Sequence, residues 1–182
     1  MRSNLHKLCP PPRRFRPAGN IIEAEFASCP PFAKPKKTKN KARADGLRYE
    51  RKVHDHLADR FEDTCVLGPW IKFLSKNNPK RRGKPLYCQP DALLVDLKRG
   101  EITVVEIKLK HTSDAWWQVK QLYTPLVSFI FGEGFTYRAI EITKWFDADT
   151  KFPERFEFLD NLSQIPSRPA STFHVHIWNG RG

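Results

Sequence analysis

No apolar stretch in the 182 residues approaches the ~20 needed to cross a bilayer, so no membrane-spanning helix and no membrane partner are expected. The N-terminus lacks the apolar core of a secretory leader. The expectation is a chain kept in the cytoplasm, that of the host if the source is viral, with its thiols reduced. The four cysteines, Cys9, Cys29, Cys65 and Cys88, are scattered and form no Cys-x-x-Cys pair, which argues against structural zinc and an iron–sulfur cluster. There is no internal repeat and no glycine-rich phosphate loop, which argues against an ATP-driven motor.

What the chain does have is positive charge, concentrated at one end. The formal net charge is +12. Residues 1–43 hold eleven Lys/Arg against two Glu, together with seven of the fifteen prolines. Such a segment cannot build much regular structure and reads as an extended or mobile basic arm that captures a polyanion. With 40% hydrophobic residues, the remainder can bury the core of one domain. Residues 44–145 read as that core, and residues 146–182 as a C-terminal extension packing on it. A second basic cluster, Lys72, Lys76, Lys80, Arg81, Arg82 and Lys84, follows a strand at about 64–74. From Lys76 onward it leads straight into the motif below, so it reads as a phosphate-contacting loop. His174 and His176 alternate on a late apolar strand, and two such residues are too few to indicate a metal site.

The most informative stretch is Pro90-Asp91, then fourteen residues, then Glu106-Ile107-Lys108. Residues 86–95 and 102–109 are rich in β-formers, and Asp96 to Gly100 supplies a turn between them. Strand side chains alternate faces, so Glu106 and Lys108 share one face while Val105, Ile107 and Leu109 share the other. A turn centred on Lys98-Arg99 places Asp91 opposite Glu106, with Cβ atoms starting ~5 Å apart. A carboxylate within an apolar strand is costly unless something compensates it. Two carboxylates with a lysine on one face point to a hard divalent cation with a proton donor or acceptor beside it. Asp96 and Glu101 face each other beside the turn and read as turn and solvent charges.

With Pro90, Asp91, Glu106 and Lys108, residues 44–145 resemble the PD-(D/E)xK nuclease superfamily. The resemblance implies a restriction-endonuclease-like fold: an α/β domain with an α-β-β-β-α-β core, its mixed sheet flanked by helices. In the helix expected at 45–61, Glu50 falls within the apolar stripe of Leu47, Val53, Leu57, Ala58 and Phe61. An acid there is either a first-turn residue favoured by the helix dipole or, as the resemblance implies, one that holds the water or a second ion. A second helix follows His111, capped by Thr112 or Ser113, with a core stripe at Trp116, Val119, Tyr123, Leu126 and Ile130. Pro125 should kink it or relax its first half. The resemblance puts a glutamine on this helix at the site. Gln118 and Gln121 are both candidates, since Gln118-Val-Lys-Gln-Leu-Tyr123 departs from the Gln-x-x-x-Tyr spacing of RecB-like members. A fourth strand is expected at 135–143.

The implied chemistry is Mg²⁺-dependent hydrolysis of phosphodiester bonds, with Mn²⁺ as substitute and DNA favoured over RNA. Asp91, Glu106 and the Ile107 carbonyl would hold the ion, and Lys108 would orient or deprotonate the water. An endonuclease is slightly favoured over an exonuclease. A non-catalytic nucleic-acid binding module on the same fold is the alternative, and an interaction protein whose arm binds acidic partners is a third reading. The sequence leaves a homodimer or a larger nucleoprotein complex open. By association alone, a small basic nuclease would suit a phage or mobile element.

Overall fold

The computed structural model describes residues 17–33, 40–76, 83–162 and 172–180. Its strands are β1 (Ile21–Ala27), β2 (Cys65–Leu67), β3 (Trp70–Ser75), β4 (Leu86–Cys88), β5 (Ala92–Asp96), β6 (Glu101–Lys110), β7 (Thr136–Trp145), β8 (Phe156–Phe158) and β9 (Phe173–Ile177). Helix α1 spans Lys41–Phe61. Helices α2 (Ser113–Gln118) and α3 (Thr124–Phe131) are joined by a π-helical turn at Val119–Tyr123. Six strands form a mixed sheet in the order β2-β5-β6-β7-β9-β8, and β1, β3 and β4 form a second, antiparallel sheet. The architecture is α/β. Among the described residues no helix is long and apolar enough to cross a membrane.

Sequence dictates which face of the main sheet each helix takes. Ile102 to Ile107 of β6 are all buried, as are Tyr137 to Thr143 of β7, which is the pattern of strands covered on both sides. Ile102 and Val104 pack with Trp116, Val119, Tyr123 and Leu126, so α2 and α3 cover that face. Val105 and Ile107 pack with Tyr49, Val53 and Leu57, so α1 covers the other. These three α1 residues lie at successive four-residue steps, one above another on one helical stripe. Asn40 begins α1, its side chain accepting from the Arg43 amide at 3.1 Å.

Several expectations are corrected. The stretch 86–95 is two strands in two sheets, and so is 64–74. Proline lacks the amide a ladder needs, so Pro90 ends β4 and separates it from β5. The first break falls at Gly68-Pro69, where Gly68 has φ +53°. The two crossovers lie side by side. The Gly68 amide donates to the Asp91 carbonyl at 2.8 Å, and the Gln89 side-chain amide donates to the Gly68 carbonyl at 2.8 Å.

The arm expected over 1–43 carries regular structure. β1 pairs with β3 along Ile21–Ala27, Lys72 reaches Glu25 at 2.7 Å, and α1 begins at Lys41. Residues 1–16 and 34–39 of that segment lie outside the described residues. The C-terminal extension is also more than a covering layer. β9 pairs with β7 in parallel and β8 adds outside it, so the last strands complete the main sheet.

Candidate active site

β5 and β6 pair antiparallel from Ala92↔Val105 to Asp96↔Glu101, about a turn centred on Lys98-Arg99. Asp91 lies one residue before β5, at the point where the chain crosses between sheets. It does not continue the ladder. Instead its Oδ2 accepts from the Ile107 amide at 2.7 Å, which ties it across to the Glu106-Ile107-Lys108 segment. Asp96 is occupied locally, accepting from the Arg99 amide at 3.1 Å in the turn. Glu101 pairs with the buried guanidinium of Arg138.

Glu106 and Lys108 project from β6 toward α2. The Lys108 ammonium donates to Glu106 Oε1 at 2.5 Å and to Gln118 Oε1 at 2.7 Å. The second oxygen of Glu106 is buried and takes no hydrogen bond from the described residues. Leaving a buried acceptor unmatched costs about 1–3 kcal/mol. Burial, and then the charge of Asp91, push the Glu106 carboxyl up to about 8 despite Lys108. Burial works to lower the Lys108 pKa, but Glu106 and Asp91 outweigh it and hold the ammonium above its usual value.

Gln118 is the glutamine that the structure brings to Lys108. Its side-chain amide in turn approaches the Tyr123 hydroxyl at 3.5 Å. The five residues between Gln118 and Thr124 form the π turn, with the Thr124 amide donating to the Val119 carbonyl. Pro125 supplies the physical reason. It has no amide to offer the Gln121 carbonyl, and its ring crowds that oxygen in a regular α-helix. The Gln121 carbonyl instead accepts from the Ala18 amide at 3.0 Å, on the segment leading into β1. The wider turn lets Gln118 and Tyr123, five apart, meet as residues four apart do in an α-helix.

Glu50 is half-buried on α1, the helix that packs on the face of the sheet opposite Glu106 and Lys108. Lys76 and Lys84 are exposed, and Lys80, Arg81 and Arg82 lie outside the described residues. His174 and His176 are buried, and His176 Nδ1 lies 2.6 Å from the Leu159 carbonyl. Sequence reasoning passes over two groups, Glu141 and His111, while Tyr123 stands in the sequence both as core and as the tyrosine of the glutamine–tyrosine spacing. Glu141 is the parallel partner of Glu106 on β7, on the same face of the sheet. His111 Nδ1 lies 2.8 Å from Glu141 Oε2, both side chains being fully buried. Glu141 carried the same signal as Glu106, an acid inside an apolar strand.

The donor set suits a hard cation. Asp91 and Glu106 can supply oxygens, as can the Ile107 carbonyl, and the second, buried Glu106 oxygen accepts no hydrogen bond from the described residues. Among the described residues no three His, Cys, Asp or Glu side chains form a ready metal cluster, so a backbone carbonyl and water would have to complete the sphere. No family model, curated protein or solved structure matches the chain.

Proposed function

We propose that this protein is a divalent-metal-dependent nuclease that hydrolyses phosphodiester bonds in DNA on a restriction-endonuclease-like core. The observation that carries the reading is Glu106: a buried carboxylate with one oxygen on Lys108, the other unmatched, and Asp91 beside it. The chain order α1, β2, β5, β6, the α2–α3 helix, then β7 supports the fold, as an α-β-β-β-α-β series within one mixed sheet. The π turn also supports it, since it accommodates the extra residue that separates Gln118 from Tyr123.

In this reading Asp91, Glu106 and the Ile107 carbonyl hold Mg²⁺, or Mn²⁺ in its place. The bound ion would supply a more acidic water and neutralise phosphate charge. Lys108 donates hydrogen bonds to the attacking water and to the charge developing on the phosphate. Gln118 fixes the lysine and Tyr123 fixes the glutamine. Glu50 of α1 would hold the water or a second ion. Lys76, Lys80, Arg81, Arg82 and Lys84 take up flanking phosphates, and DNA rather than RNA is the proposed partner.

The test is incubation of supercoiled plasmid with the purified protein in Mg²⁺, Mn²⁺, Ca²⁺ or excess chelator. Cleavage is expected with Mg²⁺ and Mn²⁺. Ca²⁺, with its looser coordination sphere, should give little. Full activity in chelator would remove the metal mechanism. Activity surviving Glu106→Ala would remove the site.

A further inference from the structure

A second feature lies at the same end of the sheet but on the α1 side. A cavity of about 500 Å³ opens there, with Leu109 of β6, Lys144 and Trp145 of β7, and Arg48, Tyr49 and Lys52 of α1 in its walls. The nuclease site does not use it. Its volume is within the range of small-molecule sites, roughly 300–1,000 Å³. Trp145 is 58% exposed, an indole left in water at the end of a strand whose inner residues are all buried. The Lys144 ammonium lies 5.1 Å from its ring centroid. The acid in the wall, Asp45, is already neutralised by Arg48 one helical turn on. The floor is rigid, since the Tyr49 hydroxyl donates to the Trp178 carbonyl at 2.8 Å and its ring packs on that indole.

We propose that this cavity is a subsite for single-stranded DNA, with Trp145 as the platform on which a base stacks and Lys52 and Lys144 as its phosphate contacts. The inference rests on the nuclease reading for its choice of polymer, and its chemistry is read from the cavity itself. An exposed aromatic face ringed by flexible cations is what an unpaired nucleotide needs: a surface for its base and charge for its backbone. A base inside a duplex is stacked on both sides and cannot offer a face to Trp145, so the subsite discriminates in favour of unpaired strand. Asn179, also in the wall, can meet a base edge. Leu109 is three residues from Glu106 along β6, about 10 Å at the strand rise. Leu109 faces α1 whereas Glu106 faces α2, so a strand that joins the carboxylates to the cavity passes round the end of the sheet, a longer path than that rise alone.

The test is binding without cleavage. Fluorescence anisotropy would compare a labelled oligothymidylate of roughly twelve nucleotides, within the usual single-strand site size, and a duplex of the same length. The protein is Glu106→Gln, alone and combined with Trp145→Ala or Trp145→Phe. Trp145→Ala should weaken single-strand binding about tenfold, the loss of one stacked base. Duplex affinity should change less than about twofold, and Trp145→Phe should keep most of the single-strand affinity because it keeps a ring. Unchanged single-strand affinity in Trp145→Ala overturns the proposal, and so does a parallel loss for single strand and duplex. A chain that binds single strand through Trp145 but never cuts DNA would retire the nuclease and leave the subsite standing. Cleavage with binding indifferent to Trp145 would do the reverse.

Discussion

Glu106 is where the energetics of a single residue and the chemistry of the whole protein meet. With one oxygen on Lys108 and the other unmatched among the described residues, the buried carboxylate is stabilised further by keeping a proton or by a metal cation. Folded, it holds its proton up to about 8, whereas an unperturbed carboxyl of its type loses it near 4.5. The metal-free folded chain therefore binds more protons than the unfolded chain across that window, and its stability must fall as pH rises through it. Burial raises Glu141 as well, in the same direction. In chelator, the thermal midpoint should be lower at the upper end of the window than at the lower end. Glu106→Gln should remove much of the dependence, and Mg²⁺ should raise the wild-type midpoint but not that of the variant. A midpoint that climbs with pH would contradict the buried, unmatched carboxyl. On the catalytic side, Ala at Asp91, Glu106 or Lys108 should each reduce cleavage by orders of magnitude while DNA binding is largely kept. Asp96→Ala should stay close to wild type, since Asp96 is engaged in its own turn. Loss of cleavage on Asp96→Ala alone would mean that the wrong acid had been assigned.

At the scale of elements, the site depends on two chain crossings and one irregular turn. Gly68 hydrogen-bonds to the Asp91 backbone while its own carbonyl is held by Gln89, so the β2–β3 crossover fixes where the first carboxylate stands. A Cβ at Gly68 would meet Gln89 Nε2 at 3.0 Å, and φ +53° is strained for any side chain. Gly68→Ala should cost about 1 kcal/mol of stability by conformation alone. It should also weaken Mg²⁺ binding through a displaced Asp91, measured by metal-dependent thermal shift. Stability lost with metal affinity unchanged would separate the crossover from the site. Much of this local geometry was legible. The β5–β6 turn, the shared face of Glu106 and Lys108 and the helix carrying Gln118 all follow from period and turn chemistry. The splitting of 64–74 and 86–95 was not, because a strand run reads the same whether its halves pair with one sheet or two. Pro90 and Gly68-Pro69 were its marks, but Pro90 was read as part of a motif rather than as a break. Pro125 announced a disturbance in its helix without saying that the result would be a π turn. The insertion of β9 between β7 and β8 is a pairing between distant segments, which local pattern does not encode.

For the whole molecule, the proposed function raises the question of how a small basic chain would engage long DNA. Residues 1–16 carry five Lys/Arg and no acid, while the segment from Ala18 through β1 is tied to the core through Gln121 and β3. Removing residues 1–16 therefore withdraws five of the net +12 without cutting into the described fold. The log–log salt slope of DNA binding should become shallower by as much as about 4.5, near 0.9 for each phosphate no longer neutralised. Turnover at saturating DNA should change far less, since no proposed catalytic group is removed, and an unchanged slope would show that this segment does not touch phosphates. The same charge bears on where the proposed nuclease would cut. Binding driven by backbone charge needs no terminus, because every phosphate along a duplex is equivalent to it. The proposed single-strand subsite lies on the other face of the strand that carries Glu106, so a short local opening would serve as well as an end. Both considerations favour internal cutting. The isolated protein with Mg²⁺ should convert covalently closed plasmid first to nicked circles and then to linear molecules, followed by gel electrophoresis over time. Linear DNA reduced to mononucleotides while the closed circle survives would make this an exonuclease, and the cavity would then hold the terminus of the strand rather than its interior.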